Sequence, residues 1–146
     1  MIKKLQIPLL LAAVALAGNL FFEVSSAMAE ETSAGDAVTA YYFHGTFRCP
    51  TCHKLEKYAK EAIENNFKND LTSGKLSFKI VNVEHKGNEH FAQDYQLYTK
   101  SIVLSLTKDG KEIRYKNLDK VWEYVRNKDR YENYVRDEVA TFLKEA

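Results

Sequence analysis

The chain is poor in cysteine and proline, with two of each among its 146 residues. It also lacks a surplus of charge: lysine and arginine number 21, aspartate and glutamate 20, and there is no basic block or repeat. A balanced charge gives no electrostatic reason to expect binding to nucleic acid or to an anionic membrane. A disulfide between Cys49 and Cys52 would close so short a loop that it adds only ~2 kcal/mol through chain entropy. The two cysteines therefore indicate a chemical role more than a stabilising disulfide.

The N-terminus has the pattern of a secretory signal peptide. Lys3 and Lys4 precede an apolar run over residues 7–22, and a small-x-small sequence follows at residues 27–29. The run is about 16 residues long, shorter than the ~20 that a membrane span needs. We expect a signal peptide at 1–29, a flexible linker at 30–37 and one domain at 38–146. The domain would be exported to the periplasm or a similar compartment, or remain membrane-anchored if the signal is not cleaved.

Hydrophobic periodicity predicts the order strand, helix, strand, helix, strand, strand, helix. Strands are predicted over residues 38–44, 76–83, 102–107 and 112–115, with an Asp109-Gly110 turn joining the last two. Helices are predicted from Pro50, over 87–97 and over 117–146, with residues 72–74 as the loop leaving the first helix. This order predicts an α/β fold, a mixed sheet flanked by helices with a C-terminal helical extension.

The sequence Cys49-Pro50-Thr51-Cys52-His53 lies between the first strand and its helix. Cys52 begins an apolar helical stripe, so it should face the core, whereas Cys49 should lie exposed at the helix N-terminus. Backbone N–H groups and the helix dipole favour a thiolate there. An exposed reactive thiol beside a shielded resolving thiol is what dithiol exchange requires. We assign Cys49 and Cys52 as catalytic, with Pro50, Thr51, Arg48 and His53 in support.

The same five residues fit two other chemistries. Cys-x-x-Cys-His is also a haem attachment pattern, but His53 should lie on the solvated face of the helix, and both methionines, Met1 and Met28, belong to the signal. Thiolates with His53 and His44 could instead hold a metal or a metalloid, although structural zinc sites usually use two separated ligand pairs. We therefore expect no cofactor beyond the dithiol, and keep metal binding and haem as alternatives.

The element order and the position of the dithiol resemble the thioredoxin-like superfamily over residues 38–143. Further likeness lies in "VNVEHKGNEHFAQDYQL" and in the Lys-Asp-Gly-Lys hairpin. More narrowly, "YYFHGTFRCPTCHKLE", "YTKSIVLSL" and "NLDKVWEYV" resemble nitrophenyl-compound nitroreductase subunits associated with arsenic-resistance gene clusters. The resemblance implies a thiol-disulfide oxidoreductase or electron-transfer subunit supporting reduction of nitroaromatic or arsenical compounds. It also implies a protein redox partner, a membrane electron-transfer protein.

The sequence departs from the thioredoxin pattern in two places. Where thioredoxins have a cis-proline, this chain has Ser101 or Ile102, and a cis peptide without proline costs ~3 kcal/mol, so we expect a trans bond. The first strand also lacks the buried acidic residue of thioredoxins, which leaves His44 or water to transfer protons.

Three further side chains and the oligomeric state can also be predicted. Trp122 is predicted to anchor the C-terminal helix in the core, and His85 and His90 to lie exposed. No flavin or nicotinamide motif is present, so the chain would not reduce a nitro group alone. We expect a monomer.

Overall fold

The computed structural model describes residues 35–146. The predicted signal peptide and most of the predicted linker lie outside these residues. The first strand begins at Ala37, one residue before its predicted start. Within the described part of the chain, no helix is both long and apolar enough to cross a membrane.

Four strands form one mixed sheet in the order β2-β1-β3-β4. The strands are β1 (Ala37–His44), β2 (Leu76–Asn82), β3 (Ser101–Lys108) and β4 (Lys111–Asn117). β1 pairs with β2 in parallel and with β3 antiparallel, and β3 pairs antiparallel with β4. The β3–β4 turn is the predicted one, with positive φ at both Asp109 (49°) and Gly110 (74°), as a tight hairpin turn requires.

Five helices accompany this sheet in the described residues. They are α1 (Pro50–Asn66), α2 (Lys68–Ser73), α3 (His90–Asp94), α4 (Val121–Tyr124) and α5 (Lys128–Leu143). The parallel pair β1–α1–β2, the hairpin and the C-terminal helix confirm the predicted fold class. α5 begins where the Asn127 side chain accepts a hydrogen bond from the Arg130 N–H, which caps its N-terminus.

The larger core lies on the sheet face covered by α1 and α5. The α1 stripe is buried as predicted, at Cys52, Leu55, Ala59, Ala62 and Ile63. α5 adds its own buried stripe, at Tyr131, Val135, Val139, Phe142 and Leu143. Side chains at i, i+3, i+4 and i+7 share one side of a helix, so the two stripes meet over the sheet.

The opposite face holds a smaller cluster of Phe43, Tyr95 and Val103, with Phe91 packed beside them. β3 therefore has both faces covered, and residues 101–106 are all buried. Ile102, Leu104 and Leu106 share the face of the larger core, as the alternation along this strand predicts, while Val103 is buried on the other face because a central strand covered on both sides has no solvent face.

Two features of the helices differ from expectation. The predicted exit loop at 72–74 includes the end of α2. This short helix has no buried residue, so the sequence shows no apolar stripe that would predict it. Gly74 caps its C-terminus with a φ of 78°. The helix predicted over 87–97 is only five residues long. Its inward residues Phe91 and Tyr95 are nevertheless those predicted, and they pack in the smaller cluster.

Candidate functional site

The two cysteines lie at the N-terminus of α1 and are joined by a disulfide, with their Cα atoms 5.1 Å apart. Cys49 is the N-cap residue, and its sulfur accepts a hydrogen bond from the Cys52 N–H at 3.2 Å. Cys49 is half-buried, whereas Cys52 is 1% exposed and begins the buried stripe. The pair is therefore asymmetric, with Cys49 partly accessible to solvent and Cys52 in the core.

The geometry of α1 sets the positions of three supporting residues of the motif. Pro50 occupies the first helical position, where its missing N–H is no loss. Thr51 borders a surface cavity together with Trp122. His53 is exposed, as predicted.

The position of His53 bears on haem attachment. A haem bound through Cys49 and Cys52 would need the His53 ring on the side of both sulfurs. Cys52 instead points into the core while His53 faces solvent. Haem attachment through Cys49 and Cys52 stays an alternative at this sequence.

Two buried tyrosines hold the first turns of α1 through hydrogen bonds that the sequence did not predict. The Tyr42 hydroxyl donates to the Cys52 carbonyl at 2.7 Å, and the Tyr131 hydroxyl donates to the Leu55 carbonyl at 2.7 Å. Burial raises the pKa of Tyr42 to about 12, and burial also raises the pKa of Tyr131. Both phenols therefore stay protonated near neutral pH and act as hydrogen-bond donors.

Arg48 forms an ion pair with Glu56 of α1. Its guanidinium also lies 5.8 Å from the centre of the Tyr42 ring. The carboxylate partner offsets the positive charge that the sequence places beside Cys49. Arg48 therefore ties the segment before the dithiol to the second turn of α1.

The loop between β1 and the dithiol is fixed by Glu84, which follows β2. The Glu84 carboxylate accepts a hydrogen bond from the Thr46 N–H at 2.9 Å, and this bond lowers the pKa of Glu84. A side chain at Gly45 would collide with the same carboxylate. His44, half-buried, has its Nδ1 2.8 Å from the Gly45 carbonyl oxygen and its ring stacked on Tyr42 at 5.8 Å.

Ser101 lies at the same end of the sheet, since it pairs with Phe43 of β1. It is 5% exposed, and its hydroxyl donates to the Thr99 carbonyl at 2.9 Å. No cis peptide occurs in residues 35–146, which confirms the expected trans bond at this position. Ser101 and His44 thus belong to the same end of the fold as the dithiol loop.

Trp122 is not a core anchor, and that prediction is wrong. Its side chain is 37% exposed, while Leu118, Val121 and Val125 of the same stripe are buried. α4 is one turn long, and the inward positions are taken by these three residues, which leaves Trp122 at the edge of the stripe. Its indole N–H donates to the Lys100 carbonyl at 2.9 Å, which holds the ring at the surface.

Candidate metal ligands do not assemble in the described residues: no three or more Cys, His, Asp or Glu side chains lie close enough to share an ion. His85 and His90 are exposed, as predicted, in the segment that follows β2. His90 lies 3.9 Å from Asp94 on α3. These histidines are separate from the dithiol in the sequence and contribute nothing to its hydrogen bonds.

No family model matches the sequence, and no curated protein matches it. Similar solved structures include a thioredoxin from Fasciola hepatica, 19% identical, covering 64% of this chain and 82% of that one, with a TM-score of 0.38. A thioredoxin from Trypanosoma brucei brucei is 14% identical over 74% of this chain and 80% of its own, with a TM-score of 0.38. A thioredoxin from Thermus thermophilus is 16% identical over 62% and 72%, with a TM-score of 0.38.

Similarity at this level carries no argument about activity, substrates or partners. The structure itself shows a mixed four-stranded sheet flanked by helices, with two cysteines joined at the N-terminus of the first helix.

Proposed function

We propose that this protein is an exported thiol-disulfide oxidoreductase that passes electrons through Cys49 and Cys52. The single observation that supports this most is the asymmetry of the pair. Cys49 caps α1 at the surface, and Cys52 lies behind it in the core. A surface thiol can reach a partner, while a shielded thiol reacts only with its neighbour.

In the reducing direction, the Cys49 thiolate attacks one sulfur of a partner disulfide. The partner S–S bond breaks, the mixed disulfide forms, and the other partner sulfur leaves as a thiolate that takes up a proton. The Cys52 thiolate then attacks the Cys49 sulfur and releases the second partner thiolate, which is also protonated. Two electrons and two protons move from the dithiol to the partner, and the Cys49–Cys52 disulfide remains. In the oxidising direction, the same steps run backwards.

The surrounding residues favour the first step in distinct ways. The N-terminal N–H groups of α1 and its dipole stabilise a thiolate at Cys49. The hydrogen bond from Tyr42 to the Cys52 carbonyl keeps the first turn in place. In the absence of a buried carboxylate on β1, the half-buried His44 and water are the candidate proton carriers.

A dithiol outside the cytosol needs a protein to restore its redox state, because no soluble thiol pool can be assumed there. We infer that this partner is a membrane electron-transfer protein and that the domain acts as a monomer. Support for export comes from the signal-like pattern of residues 1–29.

The substrate class is a finer proposal and rests on the sequence resemblance to nitrophenyl-compound nitroreductase subunits. In that role the dithiol would pass electrons to a separate component that reduces nitroaromatic or arsenical compounds. The protein would support the reaction without binding flavin or nicotinamide itself.

Partner trapping tests the proposal. Cys52→Ser keeps the attacking thiol and removes the resolving one, so mixed disulfides should accumulate on Cys49 in cells. Non-reducing gels and mass spectrometry should identify the attached partner, and dithiothreitol should release it. Cys49→Ser is the matched control and should trap nothing. Equal trapping by both variants, or by neither, would contradict the assigned roles.

A further inference from the structure

A surface groove runs beside the dithiol, between the first turn of α1 and α4. One cavity of about 380 Å³ is lined by Thr51, Lys54, Trp122, Val125 and Arg126. A second, of about 200 Å³, includes Tyr98, Ser101 and Trp122 in its wall. Trp122 borders both cavities and joins them into one groove, and Thr51, one of the two residues between the cysteines, lies in the wall of the first cavity.

The first cavity carries positive charge. Lys54 and Arg126 are both exposed and both lie in its wall. Within residues 35–146, neither forms an ion pair with a carboxylate within 4.0 Å. Two acids on the adjoining helices are paired elsewhere, Glu56 with Arg48 and Glu123 with Arg130 at 3.3 Å. The second cavity has one exposed carboxylate in its wall, Asp119, so the positive charge belongs to the first cavity alone. A cavity with two uncompensated cations favours a ligand with negative charge.

The groove also presents aromatic surface. Tyr98 is 94% exposed and Trp122 37% exposed, and both lie in the wall of the second cavity. Exposed aromatic side chains of this kind are enriched where proteins bind one another. The Trp122 ring is fixed by its hydrogen bond to Lys100, so it needs little ordering when a partner binds.

We propose that this groove receives an acidic, extended segment of the redox partner. The inference rests on the proposed exchange function, because the groove would deliver that partner's sulfur to Cys49. Acidic residues beside the partner cysteine would pair with Lys54 and Arg126, and a neighbouring apolar residue would pack on Trp122. Discrimination between partners is then electrostatic and arises from two side chains next to the dithiol.

Three synthetic peptides test the specificity of the groove. They differ only in the residues flanking a central cysteine, which are glutamates, serines or lysines. The cysteine is activated as a 2-thiopyridyl disulfide, and Cys52→Ser, reduced beforehand, is the attacking protein. Release of 2-thiopyridone gives the rate of mixed-disulfide formation for each peptide. We expect the glutamate peptide to react about 10-fold faster than the lysine peptide at low salt, with the ratio falling as salt is added.

Charge reversal locates the effect. Lys54→Glu with Arg126→Glu, in the Cys52→Ser background, should abolish or invert the ratio of glutamate to lysine rates. The matched control is Lys68→Glu with Arg136→Glu, an equal change of net charge on α2 and α5, and it should keep the ratio. Comparing ratios removes any change in the reactivity of the Cys49 thiol itself, and circular dichroism verifies that each variant is folded.

The outcomes separate the two proposals. Equal rates for the three peptides, or an equal loss of preference in the control variant, would overturn the acidic partner while leaving exchange intact. No reaction of reduced Cys52→Ser with any peptide would overturn the exchange function and this inference with it.

The sole tryptophan gives an independent readout. Cysteine-free versions of the glutamate and lysine peptides are titrated against the oxidised protein, and Trp122 fluorescence is followed. A saturable change with the glutamate peptide only is expected. No change, or the same change with both peptides, would count against an acidic segment in the groove.

Discussion

The two faces of the sheet are built differently. The face under α1 and α5 has a continuous core in which Leu55, Ile63 and Leu104 are fully buried. The other face has three buried residues, Phe43, Tyr95 and Val103, beneath the five-residue helix α3. We therefore expect the first face to supply most of the free energy of unfolding and to hold the dithiol helix rigidly, while the second contributes less.

The largest expected effect comes from removing a leucine on each face. Leu55→Ala should lower the free energy of unfolding by about 3 kcal/mol, because it leaves a cavity in a fully packed core. Leu97→Ala, the matched change at a partly buried leucine that packs against the smaller cluster, should cost about 1 kcal/mol. Urea unfolding of both variants measures the difference, and equal losses would contradict the comparison.

The next effect concerns tyrosine hydroxyls on the two faces. Tyr131→Phe removes a buried donor to the Leu55 carbonyl and should cost about 1 kcal/mol. Tyr95→Phe removes a donor to the exposed Glu112 carboxylate, where water can replace the hydroxyl, so the cost should be smaller. Thermal and urea unfolding of the two variants test this order, and a larger loss for Tyr95→Phe would reverse it.

The smallest expected change in stability concerns Glu84, whose carboxylate joins the dithiol loop to the end of β2. Its pKa is lowered by the Thr46 N–H, so its stabilisation is present above the unfolded value of about 4.3 and is lost as the pH falls through the folded value. Glu84→Gln should therefore be less stable than the wild type at pH 5 to 7, with the gap closing below pH 4.

Urea midpoints across this pH range measure the Glu84 effect. Glu64→Gln, at an exposed carboxylate 3.7 Å from Lys60, is the matched control for the loss of one surface charge. If Glu84→Gln kept a constant difference from the wild type down to pH 3, the hydrogen bond to Thr46 would not be the cause.

The α1 side of the site could be predicted because its information is local. The spacing from Cys52 to Leu55, Ala59, Ala62 and Ile63 fixes a helical stripe, and the stripe places Cys52 inward and His53 outward. The same logic predicts the hairpin at Asp109-Gly110. Short-range periodicity is enough wherever one element decides a side chain's direction.

The features of the site that could not be predicted depend on contacts between segments that are distant in the sequence. Tyr131 reaches Leu55 across 76 positions of sequence, and no pattern around either residue reveals the hydrogen bond. Trp122 lies on a plausible stripe, but only the packing of α4 shows which members of that stripe are buried. Glu84 meets Thr46 because parallel pairing of β1 and β2 brings both strand ends together.

The most direct test of the account is a redox titration of the Cys49–Cys52 couple. The purified domain is equilibrated in dithiothreitol buffers of graded potential, quenched with acid, alkylated and weighed by mass spectrometry. We predict one two-electron transition in which both cysteines change together, with a tenfold change in ratio for every ~30 mV, and no transition in Cys49→Ser. Cysteines that stay in one state across all buffers, or a metal or haem found bound to them, would contradict it.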